Sequence, residues 1–169
     1  MPNVYDGSLD ASGLRFAIVV ARYNDDITRP MLEGAVGMLT ANGAAHEHID
    51  IYWVPGAMEI PVVAQAAADS DRYDAVLCLG AVIQGETDHY RLVSAEAARG
   101  IARVALDTGV PVIFEVLATA TRELAQARAG GSADNKGEEA AIAAIETAHV
   151  LRLAQGDRRD DDSGDEDAG

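Results

Sequence analysis

The sequence predicts an α/β domain in which helices cover both faces of a parallel sheet. Two features of the chain lead to this fold class. Apolar runs of strand length are continuous rather than alternating, as in strands that are buried on both faces. Segments with the 3.6-residue period of an amphipathic helix separate these runs. Strands joined by helices form parallel sheets of the doubly wound type, and 169 residues suffice for one such domain.

The first strand is predicted over residues 15–21, a continuous apolar run. A helical pattern follows over 27–41, and Asp25 or Asp26 could cap its first turn because a short polar side chain accepts hydrogen bonds there. An Asn-Gly pair at 42–43 ends this helix.

The second strand is predicted over 49–54, where Pro55 and Gly56 stop it. A helix follows from about residue 60 to residue 68, with its proline in the first turn, where proline is tolerated. The third strand is the apolar run 75–83.

The longest helix is predicted over 89–107, because apolar residues recur there at three- and four-residue steps. The fourth strand is predicted over 110–116, and two further helices over 121–129 and 136–155. The amino-terminal arm, residues 1–13, is ambiguous. Its segment Asn3-Val-Tyr5 could add an edge strand to the four-stranded sheet.

The formal net charge of −15 argues against nucleic acid as a partner, since nucleic acid is itself polyanionic. Much of this charge lies in residues 156–169, which contain seven acids and two arginines. This segment has almost no apolar side chains, so we expect a disordered tail after a domain that spans 14–155. A specific acidic docking arm is the alternative interpretation.

A single cysteine, Cys78, excludes an intrachain disulfide framework and fits a reducing compartment. Its apolar neighbours predict that it is buried. The apolar runs are too short to span a bilayer, and no secretion leader opens the chain. We therefore expect a cytoplasmic protein that does not bind membranes.

The segment Leu79-Gly-Ala-Val-Ile-Gln-Gly-Glu-Thr-Asp-His-Tyr90 carries the strongest signal for chemistry. The predicted strand stops at a glycine. The chain then continues through Thr87, which carries a hydroxyl, to His89 at the start of a predicted helix. Main-chain N–H groups at a helix start can hold a phosphate. A histidine can move protons near neutral pH. This combination predicts an enzyme that acts on a small phosphorylated molecule.

The other polar or glycine-rich clusters also follow predicted strands, at Tyr23-Asn24, at 56–59 and at Phe114-Glu115. Doubly wound folds bind ligands beyond the carboxyl ends of their strands. The sequence therefore predicts one active site at this edge of the sheet.

Five separated blocks of the chain, in order and with matching spacing, resemble the lumazine synthase family over about residues 14–153. Together they are specific, although each one alone would be weak. The blocks are ARYNDDIT (21–28), WVPGAMEIP (53–61), LGAVIQGETDHY (79–90), GVPVIF (109–114) and RAG (128–130) with NKG (135–137).

The resemblance implies a flavodoxin-like three-layer α/β/α sandwich without a metal or organic cofactor. It also implies a transferase of riboflavin biosynthesis, which condenses 5-amino-6-(D-ribitylamino)uracil with 3,4-dihydroxy-2-butanone 4-phosphate. The products would be 6,7-dimethyl-8-ribityllumazine, phosphate and water. Subunits of the family form pentamers with active sites between neighbours. In some members twelve pentamers form an icosahedral shell, and both assemblies stay open for this chain.

For catalysis, the resemblance implies that His89 is the general acid/base. The phosphate ester would be held by Gly85, Glu86 and Thr87 through main-chain N–H groups and the threonine hydroxyl. Arg128 would supply the matching cation, because a guanidinium suits bidentate phosphate recognition. Without the resemblance, a loop before a helix and a solvated arginine would be the simpler interpretations.

The resemblance also implies a pocket for the pyrimidine ring and its ribityl chain. Tyr23 would stack on the ring, and the Glu59 carboxylate would accept hydrogen bonds from ribityl hydroxyls. Phe114 would close the pocket from the adjacent subunit. The remaining residues implied to bind this substrate are Ala57, Met58, Ala81, Val82, Ile83 and Lys136.

The chain departs from the family pattern at three places beside this site, one of which is the run Leu117-Ala-Thr-Ala-Thr121 in place of Leu-Thr-Thr. Gln84 stands where arginine or lysine is common, and Glu115 stands where glycine is usual. They motivate an alternative function, a non-catalytic cage of the same fold that binds lumazine or flavin. A riboflavin synthase of similar fold is a further alternative, but the loop before His89 fits the condensing enzyme better.

His46 and His48 are two residues apart, so we expect them on one face of a strand edge, where they could form half of a metal site. Zinc sites need three or four protein ligands, and no third candidate is near in the sequence. We therefore predict no metal site here.

Overall fold

A computed structural model describes residues 1–131 and 133–156. Strands and helices alternate along these residues as predicted. The strands are β1 (Phe16–Ala21), β2 (Ile49–Val54), β3 (Ala75–Ile83) and β4 (Val112–Thr119). The helices are α1 (Asp25–Ala41), α2 (Ile60–Asp69), α3 (His89–Thr108), α4 (Arg122–Arg128) and α5 (Lys136–Ala154).

The four strands form one parallel sheet in the order β2-β1-β3-β4. This is the strand order of flavodoxin-like folds, and the chain reverses its direction of travel across the sheet between β1 and β3. A crevice opens at such a switch point beyond the carboxyl ends of the two strands. The topology alone therefore places the expected ligand site between β1 and β3.

The central strand β1 is buried on both faces, and its side chains alternate between two apolar layers. Phe16, Ile18 and Val20 belong to the layer that α1, α4 and α5 cover. Ala17 and Val19 belong to the layer that α2 and α3 cover. This arrangement confirms the predicted three-layer α/β/α sandwich and explains why the strand sequences are continuously apolar.

The close contact between α1 and α5 depends on two residues at the start of α5. The Asn135 side chain accepts a hydrogen bond from Gly137 N (2.9 Å) and donates one to the Pro30 carbonyl (3.0 Å). A Cβ atom on Gly137 would lie 1.8 Å from the main-chain oxygen of Met31, so only glycine fits this crossing. Lys136 lies between Asn135 and Gly137 in the chain, so these contacts also fix the position of its main chain.

The amino-terminal arm differs from the prediction, because residues 3–5 form no strand. Val4 and Tyr5 are exposed. The arm instead runs along α5, where His149 Nε2 lies 2.6 Å from the carbonyl oxygen of Asp10. This contact holds the arm on a helix, so these residues do not extend the sheet. The predicted acidic tail comprises residues 156–169, of which all except Gly156 lie outside the described part of the chain.

Two local predictions were wrong. His46 and His48 lie in a 3₁₀ turn before β2, so they do not share the face of a strand. The fourth strand starts at Val112, two residues later than predicted, and continues to Thr119. Val110 N donates to the Thr108 hydroxyl, and Pro111 has no N–H group. Neither residue therefore donates a hydrogen bond to the neighbouring strand β3.

Within residues 1–131 and 133–156, none of the helices combines the length and the apolar composition that crossing a bilayer requires.

Candidate active site

A cleft of about 420 Å³ opens beyond the carboxyl ends of β1 and β3, at the switch point of the sheet. Residues from the segments after β1, β2 and β3 line it, as the sequence predicted. The lining residues are Tyr23, Gly56, Ala57, Met58, Glu59, Ala81, Val82, Ile83, Gly85, Thr87, His89, Tyr90 and Val93.

Tyr23 lies in the short loop between β1 and α1 and is 73% exposed. Its main-chain N–H donates to the carbonyl of Pro55 (2.9 Å), which joins this loop to the segment after β2. The ring thus stands at the mouth of the cleft with much of its surface available to a ligand. A planar ligand could stack on it.

Asn24 caps α1, although Asp25 or Asp26 was predicted to do so. Its main-chain carbonyl accepts from the N–H groups of Ile27 and Thr28, but its side chain makes no cap hydrogen bond. The residue is left-handed, with φ 61° and ψ 46°. A left-handed conformation costs about 1–2 kcal/mol, and asparagine adopts it more readily than most residues.

The Asn24 side chain makes contacts that offset this cost. Its Nδ2 donates to the carbonyl of Ala81 at the end of β3 (2.9 Å). Its Oδ1 accepts from Arg122 Nη2 on α4 (2.8 Å). Each such bond contributes about 1 kcal/mol, and more when the donor is charged. The loop therefore has one well-defined conformation, in which Tyr23 faces the cleft.

The segment after β2 forms a 3₁₀ turn at Ala57–Glu59 that leads into α2. Ala57 is buried, whereas Met58 and Glu59 are exposed. The Glu59 carboxylate folds over Gly56, where a Cβ atom would lie 3.2 Å from Oε2. The turn thus offers an apolar wall and one carboxylate acceptor on the same side of the cleft.

The loop between β3 and α3 begins where Gln84 N still donates to the carbonyl of Thr119 at the end of β4 (2.9 Å). Beyond that point the loop is exposed. No acceptor in the described parts of the chain takes the main-chain N–H groups of Gly85, Glu86 or Thr87. Unpaired N–H groups before a helix attract an anion.

His89 is the first residue of α3 and its side chain is exposed. Its N–H contacts the Thr87 hydroxyl at 3.4 Å, a long hydrogen bond. Tyr90 and Val93 flank it in the cleft wall. The imidazole therefore lies beside both the loop N–H groups and the opening of the cleft, where it can exchange protons with a bound molecule.

The cleft lacks a permanent cation: no lysine or arginine lines it among the residues that the structure describes. Arg128 and Lys136 lie instead beside β4, the edge strand. Asp134 contacts both, at 3.3 Å from Arg128 Nη1 and 3.6 Å from Lys136 Nζ. Glu139 contacts Lys136 at 2.6 Å. In this ionic cluster (Arg128, Asp134, Lys136 and Glu139), Arg128 and Glu139 are exposed, whereas Asp134 and Lys136 are partly buried.

Glu115 on β4 faces the ionic cluster, and partial burial raises its pKa to about 7. The positive charge of Lys136 opposes this shift, whereas Glu139 and Asp134 add to it. Phe114, the preceding residue, is 42% exposed on the other face of the same edge strand. An uncovered aromatic ring and two cations thus flank β4.

Most residues predicted for the site lie together in one cleft, from Tyr23 after β1 to His89 at the start of α3. Glu86 belongs to the same loop without lining the cleft, whereas Phe114, Arg128 and Lys136 lie at the β4 edge. The carbonyl of Ala81 already accepts from Asn24, so it is only partly available to a ligand.

Three lining residues were not assigned a role: Gly56 and Tyr90, which belong to segments predicted at the site, and Val93, which does not. Val93 is one helical turn after His89 and hence on the same face of α3, so helix geometry could have indicated it. No group of three or more His, Cys, Asp or Glu side chains that could hold a metal ion occurs in residues 1–131 and 133–156, around His46 and His48 or elsewhere.

The strand order and the cleft at the switch point define a three-layer α/β protein that can hold a small molecule at the carboxyl edge of its sheet. A comparison with known families sharpens this class. The family model described as 6,7-dimethyl-8-ribityllumazine synthase matches residues 13–152. The chain therefore belongs to the lumazine synthase family, which acts in riboflavin biosynthesis, and the predicted resemblance is confirmed.

Proposed function

We propose that this protein condenses 5-amino-6-(D-ribitylamino)uracil with 3,4-dihydroxy-2-butanone 4-phosphate to form 6,7-dimethyl-8-ribityllumazine. One observation carries the proposal beyond family membership. His89 and the unpaired N–H groups of Gly85 and Thr87 border a single cleft that also contains an exposed aromatic ring, Tyr23. A proton carrier, an anion site and a stacking surface are the groups that this reaction needs.

The pyrimidine would bind first between the loops after β1 and β2. Tyr23 stacks on its ring, and the heterocycle edge meets the main chain of Ala81, Val82 and Ile83. The ribityl chain lies against Ala57 and Met58. Its hydroxyls donate hydrogen bonds to the Glu59 carboxylate.

The butanone phosphate would bind at the loop between β3 and α3. The main-chain N–H groups of Gly85, Glu86 and Thr87, with the threonine hydroxyl, surround the phosphate. The cleft has no cation of its own among the described residues. We therefore assign the neutralising charge to Arg128 of a neighbouring copy, whose Lys136 and Phe114 reach the pyrimidine.

In the reaction, the 5-amino group attacks the ketone carbon, and the carbinolamine loses water to give an imine. Loss of a proton next to the imine then expels phosphate from the adjacent carbon chain. Loss of phosphate leaves an enol, which takes up a proton on its terminal carbon and so becomes a methyl ketone. The ribitylamino nitrogen attacks this new carbonyl, and loss of a second water closes the ring. His89 accepts and returns the protons in these steps. Holding two mutually reactive substrates together supplies the larger part of the acceleration.

This division of the site between copies requires a homo-oligomer, and we propose the pentamer of the family as its unit. The ionic cluster and Phe114 then face the cleft of the neighbour. A shell of sixty subunits is compatible with the same pentamer. Light scattering would distinguish the two assemblies.

The proposed reaction is tested by mixing purified protein with both substrates and following lumazine absorbance and fluorescence. The substrates react slowly without a catalyst, so the control is the same mixture without protein. A rate above this background that increases in proportion to protein concentration supports the enzyme. Binding of 6,7-dimethyl-8-ribityllumazine without any rate above background would replace it with the non-catalytic cage, for which Gln84 and Glu115 provide the reason.

A further inference from the structure

Arg122, at the start of α4, is bound to the loop that carries Tyr23. Its Nη1 donates to both carboxylate oxygens of Asp26, at 2.8 and 2.7 Å. Its Nη2 donates to Asn24 Oδ1 at 2.8 Å. The guanidinium thus binds the β1–α1 loop with one terminal nitrogen and the first turn of α1 with the other, nearly a hundred residues away in the chain.

The contacts of Asn24 link this guanidinium to the cleft. Asn24 follows Tyr23 directly, is left-handed, and donates to the carbonyl of Ala81 in the cleft wall. With Oδ1 held by Arg122 and Nδ2 held by Ala81, the side-chain amide cannot rotate or invert. Main-chain bonds from Arg22 N to the Val54 carbonyl and from Tyr23 N to the Pro55 carbonyl also hold this loop. Arg122 adds the contact that fixes the Asn24 side chain.

We propose that Arg122 is a positioning residue, which holds the β1–α1 loop so that Tyr23 faces the bound heterocycle. This inference rests on the proposed function, in which the cleft takes a pyrimidine. Arg122 itself touches neither substrate. Its effect passes through Asn24 and Asp26.

The fold does not require this arginine. The side chains of Arg122 and Asp26 are both 45% exposed, and exposed ion pairs stabilise folded proteins little. Helix α4 is held independently, because Thr121 Oγ1 accepts from Leu124 N and Ala125 is fully buried. The Arg122→Ala variant should therefore fold and assemble normally.

The arrangement also distinguishes arginine from lysine. A planar guanidinium can contact the Asp26 carboxylate with one nitrogen and Asn24 with the other. A lysine ammonium is a single point charge, and it can keep the carboxylate contact while it loses Asn24. Arg122→Lys should therefore restore only part of what Arg122→Ala loses.

The test compares wild type, Arg122→Ala and Arg122→Lys in the lumazine assay. We expect Arg122→Ala to raise KM for the pyrimidine about three- to tenfold, the size of one lost hydrogen bond, while kcat and KM for the butanone phosphate change less than about twofold. For Arg122→Lys, KM for the pyrimidine should lie between the values of wild type and Arg122→Ala. The matched control is Arg103→Ala, whose ion pair with Asp107 lies within α3, about 20 Å along the helix from His89.

Hydrogen exchange provides a readout that does not need turnover. The amides of residues 22–27 should exchange faster in Arg122→Ala, and those of β3 should not. Unchanged exchange at 22–27, or an unchanged KM for the pyrimidine in an active enzyme, would overturn the positioning role. A wild type without turnover would overturn the proposed reaction instead. In that case faster hydrogen exchange at residues 22–27 in Arg122→Ala would still support the proposal that Arg122 fixes the loop. Unchanged exchange there would refute it.

Discussion

The side-chain amide of Asn24 donates a 2.9 Å hydrogen bond to the main-chain carbonyl of Ala81. The last paired residues of β1 and β3 are Val20 and Leu79, so this bond lies beyond the end of the regular ladder. It joins the two strands across the switch point, where the cleft begins. The distance between Tyr23 and the end of β3 is set by this contact.

Removing the proposed proton carrier should slow the reaction without abolishing it. We expect His89→Ala to lower kcat about ten- to a hundredfold, the usual contribution of general acid–base catalysis, because substrate proximity is retained. The measurement is steady-state lumazine formation. His46→Ala removes another exposed histidine, at the opposite end of the sheet, and should have no effect. A correctly assembled His89→Ala protein without any turnover above background would contradict this mechanism.

If each active site is shared between two subunits, two impaired variants should complement each other in mixed oligomers. Arg128→Ala alone should raise KM for the butanone phosphate at least tenfold, since about 1.5–3 kcal/mol is typical for a hydrogen bond to a charged group. Refolding Arg128→Ala together with His89→Ala should restore activity, because about a quarter of the interfaces then pair an intact cleft with an intact Arg128. Activity no higher than the mean of the two separate proteins would show that each cleft uses its own chain's arginine.

The ring of Tyr23 should matter more than its hydroxyl. Tyr23→Ala should raise KM for the pyrimidine about two- to tenfold, which corresponds to an aromatic stacking contribution of about 0.5–1.5 kcal/mol. Tyr23→Phe keeps the ring and serves as the matched control, with KM within about twofold of wild type. If Tyr23→Ala and Tyr23→Phe raised KM for the pyrimidine equally, stacking on the ring would not contribute to binding.

Glu115 should make stability depend on pH near neutrality. Its pKa is raised by burial to about 7, above that of an unfolded chain, so the folded state binds the proton more tightly. Stability is therefore lost as the pH rises toward 7, and the loss is complete above it. The loss begins near pH 4.5, the ordinary value for the Glu115 carboxyl, so Glu115→Gln should raise Tm most at pH 8, less at pH 5.5 and not at all at pH 4.

The size of this effect is limited because Glu115 is only partly buried and solvent screens its charge. We expect about 1 kcal/mol, or roughly 2–4 °C in Tm for a chain of this length. Glu33→Gln, an exposed change of the same kind on α1, should shift Tm at none of these pH values. A gain from Glu115→Gln that is the same at all three pH values would mean that the Glu115 pKa is not raised.

The parts of the fold that were predicted correctly depend on local sequence. Strand β3 and the start of α3 at His89 match the prediction, because a buried strand and a helix with an apolar stripe leave clear periodic patterns. The order of the cleft-lining segments was also predictable, because parallel strands bring their carboxyl ends to one edge.

The errors come from contacts between residues that are distant in sequence. Asp25 and Asp26 both looked like caps of α1, but Asp25 pairs with Arg29 and Asp26 binds Arg122. Asn24 could take the cap position because Ala81 and Arg122 hold its side chain. Sequence alone gives no sign of a partner nearly a hundred residues away.

Helix α4 spans seven residues, so Arg122 and Arg128 stand at the two ends of one short rigid rod. The first binds the loop that lines this subunit's own cleft, and the second is the charge that we propose for the cleft of the neighbour. Any tilt of the rod moves both ends together. In the proposed ring, a substitution that shifts α4 would therefore damage two clefts at once, the one in its own subunit and the one next to it.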